Sequence, residues 1–320
     1  MRFFMGAAFE RIGARLLAVG RMMLARPLLT YGTLVLLLVL ILVLQPRVHI
    51  FTLDVTTEIA VFTTTDDVLT AWDLGAASKL IDNPDPFAEP SKGRSLGPNA
   101  QLIIYNETQV DVQRHGTGVV RVRLTRDDAD PMGRIENQAG VEDLKNWAVL
   151  LIEPAGSPVL FPFRGTLTVG YDVAAGVDSV LQGGTVSVVE NQLLGDARYT
   201  ANTENLDPGD RVEMRDDPSG DLPSKLSVVT GFIRAEPATG YPEPMEALGV
   251  VAHGTADFVQ VDRLGSSGYK IRAPRWARFL HDPLLAAGTA IVALFALLME
   301  VGKKCSECVS AYREKKSSDK

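Results

Sequence analysis

Two long apolar runs interrupt the pattern of hydrophobic and polar positions along the chain. Residues 28–44 contain no charged side chain, and residues 283–301 contain one, Glu300, in the last turn. A helix rises about 1.5 Å per residue, so each run approaches the roughly 30 Å thickness of a bilayer's hydrocarbon core. The pattern therefore predicts two transmembrane helices, over residues 28–45 and 282–301.

The first apolar run is interpreted as a membrane anchor that stays on the chain. The 27 residues before it are more than the charged n-region of a secretion signal usually contains. The residues that follow it, 45–47, offer no small-x-small cleavage pattern.

Between the two runs, the apolar positions change to a period of two. Short segments alternate apolar and polar residues and are rich in valine, isoleucine and threonine, as half-buried strands are. Clusters of proline, glycine and aspartate separate these segments, and a short helix is expected only near residues 141–145. The stretch 203–224 is expected to be mostly loop, with one strand at residues 211–214.

This pattern predicts a mainly β domain over residues 46–281, with a β-sandwich or jelly-roll-like fold. No period of roughly 20 to 50 residues recurs, which disfavours a solenoid or a propeller. Two β subdomains with a boundary near residues 174–184 are one alternative for its organisation. One continuous sandwich is the other.

The segment before the first apolar run has the pattern of an amphipathic helix. Apolar residues recur every three or four positions, and basic residues fall on the other side. Residues 1–27 are therefore predicted to form a helix that lies on the inner membrane surface or docks on a partner. A helical extension of the first span is the alternative. The basic residues are Arg11, Arg15, Arg21 and Arg26.

Charge predicts the orientation of the chain in the membrane. Five arginines precede the first span, and residues 302–320 form a basic tail, as is typical of cytoplasmic flanks. Residues 46–282 carry 34 acidic and 21 basic side chains, a net charge of −13. Both termini are therefore predicted in the cytoplasm and the acidic domain outside, and this domain is not expected to bind nucleic acid.

Cysteine usage favours a bacterial inner (cytoplasmic) membrane, with the β domain in the periplasm. The only two cysteines, Cys305 and Cys308, lie in the predicted cytoplasmic tail, so the outer domain needs no disulfide framework. Their spacing suits half of a zinc site or a redox pair. Two cysteines without chemistry are the alternative.

Residues around the second apolar run predict contacts with lipid and with other helices. Aromatic and basic side chains interleave just before it, which is typical of the membrane interface. This predicted interface consists of Arg275, Trp276, Arg278 and Phe279. Small residues inside the run have the spacing that lets two membrane helices approach closely. The predicted packing residues are Ala286, Gly288 and Ala290.

The sequence contains no motif that assigns catalytic residues or a cofactor. HExxH, GxSxG, GxGxxG and GxxxxGK[ST] are all missing, so zinc-hydrolase, serine-hydrolase and nucleotide sites have no support. Trp72 and Asp73 are candidates for a sugar-stacking platform, with core packing of Trp72 as the alternative. Five aspartates are candidates for a calcium site, with solvated turns as the alternative. They are Asp207, Asp210, Asp216, Asp217 and Asp221.

These patterns predict a membrane-anchored periplasmic scaffold or accessory subunit of a cell-envelope complex. Its β domain is expected to bind a protein partner, a glycan or further copies of the chain. One alternative is an envelope enzyme that acts on glycans through paired carboxylates. Another is a periplasmic sensor that signals through a separate partner, because the short inner tail leaves no room for an output domain.

Overall fold

The structure, a computed structural model, describes most of the chain between residues 32 and 318. The described residues are 32–34, 36, 37, 40, 41, 48–65, 71–75, 77–81, 93–115, 118–145, 147–154, 157–171, 180–192, 197–217, 223–237, 247–263, 268–281 and 283–318. The predicted amphipathic helix over residues 1–27 lies outside them, and so does Asp221.

Strands dominate the described residues between the two apolar runs. The twenty strands are β1 (His49–Thr57), β2 (Ile59–Thr64), β3 (Ala71–Asp73), β4 (Ser78–Ile81), β5 (Arg94–Ser95), β6 (Gln101–Ile104), β7 (Gln109–Gln113), β8 (Val120–Thr125), β9 (Gly133–Asn137), β10 (Gly140–Leu144), β11 (Trp147–Ile152), β12 (Val159–Val169), β13 (Leu181–Asn191), β14 (Arg198–Leu206), β15 (Arg211–Asp216), β16 (Lys225–Leu226), β17 (Val228–Ala235), β18 (Leu248–Ala256), β19 (Phe258–Asp262) and β20 (Tyr269–Ile271). The predicted mainly β fold is therefore confirmed.

The strands form two antiparallel sheets. The larger sheet connects sixteen strands along the path β14-β13-β1-β18-β17-β12-β2-β7-β8-β11-β4-β5, with β15, β16, β19 and β20 branching from β12. The smaller sheet has the order β10-β9-β6-β3. Strand β12, before the suggested boundary at residues 174–184, and β13, which begins within it, belong to the same sheet, and both lie in the same compact unit up to Glu190.

The period of two in the sequence corresponds to one buried face per strand. In β1, Phe51, Leu53 and Val55 are buried, while Asp54 between them is exposed. Residues of both sheets share one hydrophobic core. Trp72 of β3 contributes to this core from the smaller sheet, and its ring centroid lies 4.7 Å from that of Phe161 in β12.

Two local predictions were wrong. Residues 141–145 were expected to form a short helix, but 140–144 form β10, which pairs with β9 in a hairpin. A segment this short has little helical preference of its own, so pairing with a neighbouring strand decides its structure. Residues 203–206 were expected in a loop, but they continue β14. The strand expected at residues 211–214 is confirmed within β15.

Two helices follow the strands, α1 (Arg275–His281) and α2 (Pro283–Ser318). In the described part of the chain, one helix is long and apolar enough to cross a membrane. It is α2, through the window Leu285–Gly302, of which 6% is buried. In the first predicted span, described residues such as Leu36 and Leu40 are helical and exposed, but the span itself stays a prediction.

Gly165 provides a test of the strand arrangement, because β12 pairs there with both β17 and β2. A Cβ at this position would lie 1.9 Å from the backbone oxygen of Thr63. We expect Gly165→Ala to lower the free energy of unfolding by about 2–3 kcal/mol, as overpacking does. Urea unfolding of the full chain in detergent, followed by tryptophan fluorescence, measures this change.

The control is Gly302→Ala in α2, where an added Cβ would meet no atom within 4 Å. This control should leave the unfolding of the strands unchanged. Equal stability of the Gly165→Ala variant and the unaltered chain would contradict the pairing of β2 with β12.

Candidate functional site

Trp72 is a core residue, as one of the two alternatives for it expected. Its side chain is 1% exposed, and its indole N–H donates a hydrogen bond of 2.8 Å to the backbone oxygen of Pro162. The rings of Phe62 and Phe161 lie against it, so the indole has no open face on which a sugar could stack. Asp73 is exposed next to it, and its carboxylate accepts a hydrogen bond from the backbone of Gly75.

A guanidinium neutralises two of the aspartates that were candidates for calcium ligands. Asp210 is fully buried and accepts hydrogen bonds of 2.9 Å from both Nε and Nη2 of Arg263. Asp207 lies 2.8 Å from the same guanidinium. The hydrogen bond from Arg263 to Asp210 is the main reason why the pKa of Arg263 is raised above its ordinary value.

The other described aspartates of that set also have protein partners. Asp216 accepts a hydrogen bond from the hydroxyl of Ser227, and Asp217 forms an ion pair with Arg272 at 3.3 Å. Among the described residues, no group of three His, Cys, Asp or Glu side chains is placed to hold a metal ion. The described aspartates therefore give the calcium alternative no support.

The predicted interface and packing residues around the second apolar run lie on the two helices, whereas Arg11, Arg15, Arg21 and Arg26 lie outside the described residues. Arg275 and Trp276 are exposed on α1, which also contains residues 278 and 279. Ala286 and Ala290 are exposed on α2, and Gly288 between them is partly buried. The backbone of α2 continues through residues 305 and 308, so both cysteines lie on a helix, three residues apart. Their proposed chemistry stays a prediction.

A polar groove between β1 and β13 is the described feature best suited to hold a ligand. Its volume is about 490 Å³, and its lining is almost entirely polar or glycine. The φ angle of Gly184 is +152°, and a Cβ there would lie 2.5 Å from the backbone oxygen of Asp54. The absence of that Cβ allows the two strands to approach each other. The lining residues are Asp54, Val55, Thr56, Gln182, Gly183, Gly184 and Thr185.

Glu58 connects this groove to the corner where β1 passes into β2. Its carboxylate accepts hydrogen bonds from the Gln182 side chain at 3.4 Å and from the backbone N–H of Val180 at 3.2 Å. His115 Nδ1 lies 3.7 Å from the same carboxylate. The groove itself offers the carboxylate of Asp54, the amide of Gln182 and two threonine hydroxyls to a ligand, which suits hydrogen bonding to a glycan or a peptide backbone.

A buried arginine lies beside this corner in the chain. Arg114 is 1% exposed and donates hydrogen bonds to the backbone oxygens of Gly118 and Glu236. Its Nη1 has no hydrogen-bond partner. Burial is the main reason why the pKa of Arg114 is lowered, and the charge of Glu236 opposes that effect. Arg114 holds two strand ends together and presents no accessible group to a ligand.

A second cluster of titratable groups surrounds Glu190, a fully buried carboxylate at the end of β13. The Tyr199 hydroxyl donates a hydrogen bond of 2.5 Å to it, and His49 Nδ1 lies 2.9 Å away, at an ion-pair distance. His49 Nδ1 forms no hydrogen bond with a described residue despite this distance. These partners compensate for the burial of a charge that would otherwise be costly.

Arginines also hold the buried carboxylates on the outer faces of the larger sheet. Asp111 pairs with Arg123, and Glu213 lies between Arg211 and Arg215. Burial alone would raise the pKa of Glu213, but the hydrogen bonds and charges of Arg215 and Arg211 outweigh it and lower the pKa. A carboxylate held in the ionised form in this way is a poor general acid.

Sequence reasoning missed the groove, Glu58 and the Glu190 cluster. The paired glycines Gly183 and Gly184 are the one local signal, because adjacent glycines inside a strand pattern indicate a bulge or a close backbone approach. No family model matches this sequence, and neither the curated proteins nor the solved structures show a significant similarity to it. The function must therefore be argued from the residues of the chain itself.

The lowered pKa of Glu213 predicts that the free energy of unfolding depends on pH. Its pKa is lower in the folded chain than the ordinary value of 4.5, so its ionised form stabilises the fold above that pH. This contribution is lost as the pH falls below 4.5 and through the lowered pKa. We expect Glu213→Gln to be less stable at neutral pH by about 1–3 kcal/mol, with a flatter profile in the acidic window. Urea unfolding at a series of pH values measures both effects.

The control is Glu142→Gln, because Glu142 forms a half-exposed ion pair with Arg94 at 2.7 Å. Pairs of this kind contribute less than about 1 kcal/mol, so this variant should keep the acid sensitivity of the unaltered chain. If both variants had the same pH profile, the assignment of acid sensitivity to Glu213 would fail.

Proposed function

We propose that this chain is a membrane-anchored scaffold or accessory subunit of a cell-envelope complex, which binds a protein or glycan partner through its β domain. In this proposal, the chain crosses the bacterial inner membrane twice, with both termini in the cytoplasm. The acidic β domain lies in the periplasm, where the groove between β1 and β13 is the binding site.

Helix α2 is the observation that carries the proposal. Its window Leu285–Gly302 is apolar, yet only 6% of it is buried. An apolar helix of this length in a soluble protein would be covered by the core, because exposing it to water is costly. Exposure along most of the described part of this window favours contact with lipid tails.

The charges of the β domain favour binding over catalysis. Buried carboxylates such as Asp111, Asp210 and Glu213 are paired with arginines, so their oxygens are already occupied by protein partners. The groove contains Asp54, Gln182 and two threonines, which are donors and acceptors of hydrogen bonds. These features support the scaffold function over the alternative function, an enzyme that acts through paired carboxylates.

The length of α2 supports a contact on the cytoplasmic side as well. The helix has 36 residues, which is about 54 Å at the usual rise and exceeds the roughly 30 Å of the hydrocarbon core. In the proposed orientation, the part after Gly302 projects into the cytoplasm. A projecting helix offers a surface on which a membrane-protein partner or a second copy can pack.

The proposed orientation is tested by thiol labelling, because the only cysteines of the chain are Cys305 and Cys308. We expect a membrane-impermeant maleimide, added to cells with a permeabilised outer membrane, to label Asp127→Cys in a Cys305→Ser, Cys308→Ser background. Asp127 is exposed in a loop of the β domain.

The unaltered chain serves as the control, since its two cysteines should react only after the inner membrane is lysed. Labelling of the unaltered chain in intact cells, without labelling of Asp127→Cys, would reverse the orientation.

Assembly is tested by the mass of the full chain in nanodiscs prepared from its native membrane. We expect a complex heavier than one 34.6 kDa chain, and Asp54→Asn in the groove should reduce its yield several-fold. Asp127→Asn, which makes the same change at an exposed position outside the groove, should leave the yield unchanged. A single chain without a partner would overturn the scaffold proposal. Equal yields of the complex from Asp54→Asn and Asp127→Asn would show that the groove is not the binding site.

A further inference from the structure

The short helix α1 exposes two large apolar side chains on one side. Trp276 is 76% exposed and Leu280 is 78% exposed, while Ala277 is 5% exposed. Residues four apart lie on the same side of a helix, so Trp276 and Leu280 form a single apolar strip. Arg275 next to them is also exposed. An exposed tryptophan and leucine at this spacing indicate a surface that is covered by something apolar.

The chain itself indicates what covers this strip. His281, the last residue of α1, precedes Leu285, the first residue of the apolar window in α2, by four positions in the chain. When α2 spans the bilayer, α1 therefore ends close to where the hydrocarbon gives way to the headgroups. Tryptophan is enriched at this depth because its ring is apolar and its N–H is polar.

The charges next to the strip identify the kind of lipid. Residues 264–281 contain no aspartate or glutamate, although the domain as a whole is acidic. They contain four basic residues, on the side of the membrane where such residues are usually depleted. An excess of positive charge at this place is stabilised when it faces the phosphates of anionic lipids. The basic residues are Lys270, Arg272, Arg275 and Arg278. Arg272 is paired with Asp217, and Asp282 follows the segment directly, so the excess rests on the other three basic residues.

We propose that α1 lies in the membrane interface, with Trp276 and Leu280 inserted beside the acyl chains and with Arg275 bound to the headgroups of anionic phospholipids. This site rests on the proposed membrane anchoring by α2 and deepens it by naming the lipid class. It holds the start of α2 at a defined depth in the bilayer.

The experiment uses the full chain in nanodiscs that contain brominated phospholipids, which quench tryptophan at the depth of the bromine atoms. A Trp147→Phe background leaves Trp72, which is buried in the core, and Trp276. We expect strong quenching, with brominated phosphatidylglycerol more effective than brominated phosphatidylcholine. Trp276→Phe in the same background should abolish the quenching, because only the buried Trp72 remains.

Charge variants test the selectivity for anionic lipid. Each basic residue near a membrane surface contributes an attraction worth roughly fivefold in association. We expect Arg275→Gln to reduce the preference for phosphatidylglycerol by about that factor, whereas Arg275→Lys should retain it. Equal quenching by the two lipids in the unaltered background would overturn the selectivity for anionic headgroups.

Alkaline carbonate extraction separates failure of this proposal from failure of the anchor. If the chain resists extraction but Trp276 is not quenched, the interfacial site is wrong and the membrane anchor stands. If the chain is extracted, the anchor and the interfacial site both fail. Photo-crosslinking from position 276 to a second copy of the chain, in place of lipid, would identify the strip as a protein interface and overturn the proposal.

Discussion

The contact between Trp72 and strand β12 joins the two sheets, and the packing of the β domain depends on it. The indole of Trp72 lies against Phe161, and its N–H donates to the backbone oxygen of the next residue, Pro162. Phe163, two positions further, stacks on Phe62 of β2 at 4.8 Å. One short stretch of β12 therefore contacts the smaller sheet and the neighbouring strand of its own sheet.

Paired charges allow the large sheet to keep polar outer faces without leaving buried charges uncompensated. Asp111, Asp210 and Glu213 are nearly or fully buried, and each forms an ion pair with an arginine guanidinium. Removing one partner of such a pair is costly, although the pair itself adds little compared with an apolar substitute. Glu58 is different, because its carboxylate lies beside an open polar groove. The groove, rather than the ion pairs, is therefore the proposed place for a ligand.

The sequence by itself determined the mainly β domain and the apolar helix at its C-terminal side. Alternation with a period of two requires one buried face, and a long uncharged run requires an apolar environment, so both are local properties of the chain. Composition also identified the acidic, cysteine-free character of the domain. Core packing, one of the two alternatives for Trp72, follows from the size and apolarity of its ring.

The tertiary structure alone decided which strands pair and which partners the charged residues have. Residues 140–144 form a strand because they pair with β9. Their own secondary-structure propensity does not predict this outcome. Asp210 became a buried ion-pair partner because Arg263, 53 residues away, is brought against it. Gly184 lets β13 approach β1, and the groove lies along this strand pair. Each outcome depends on residues that are distant in sequence, and the free energy of such contacts exists only once the chain has folded.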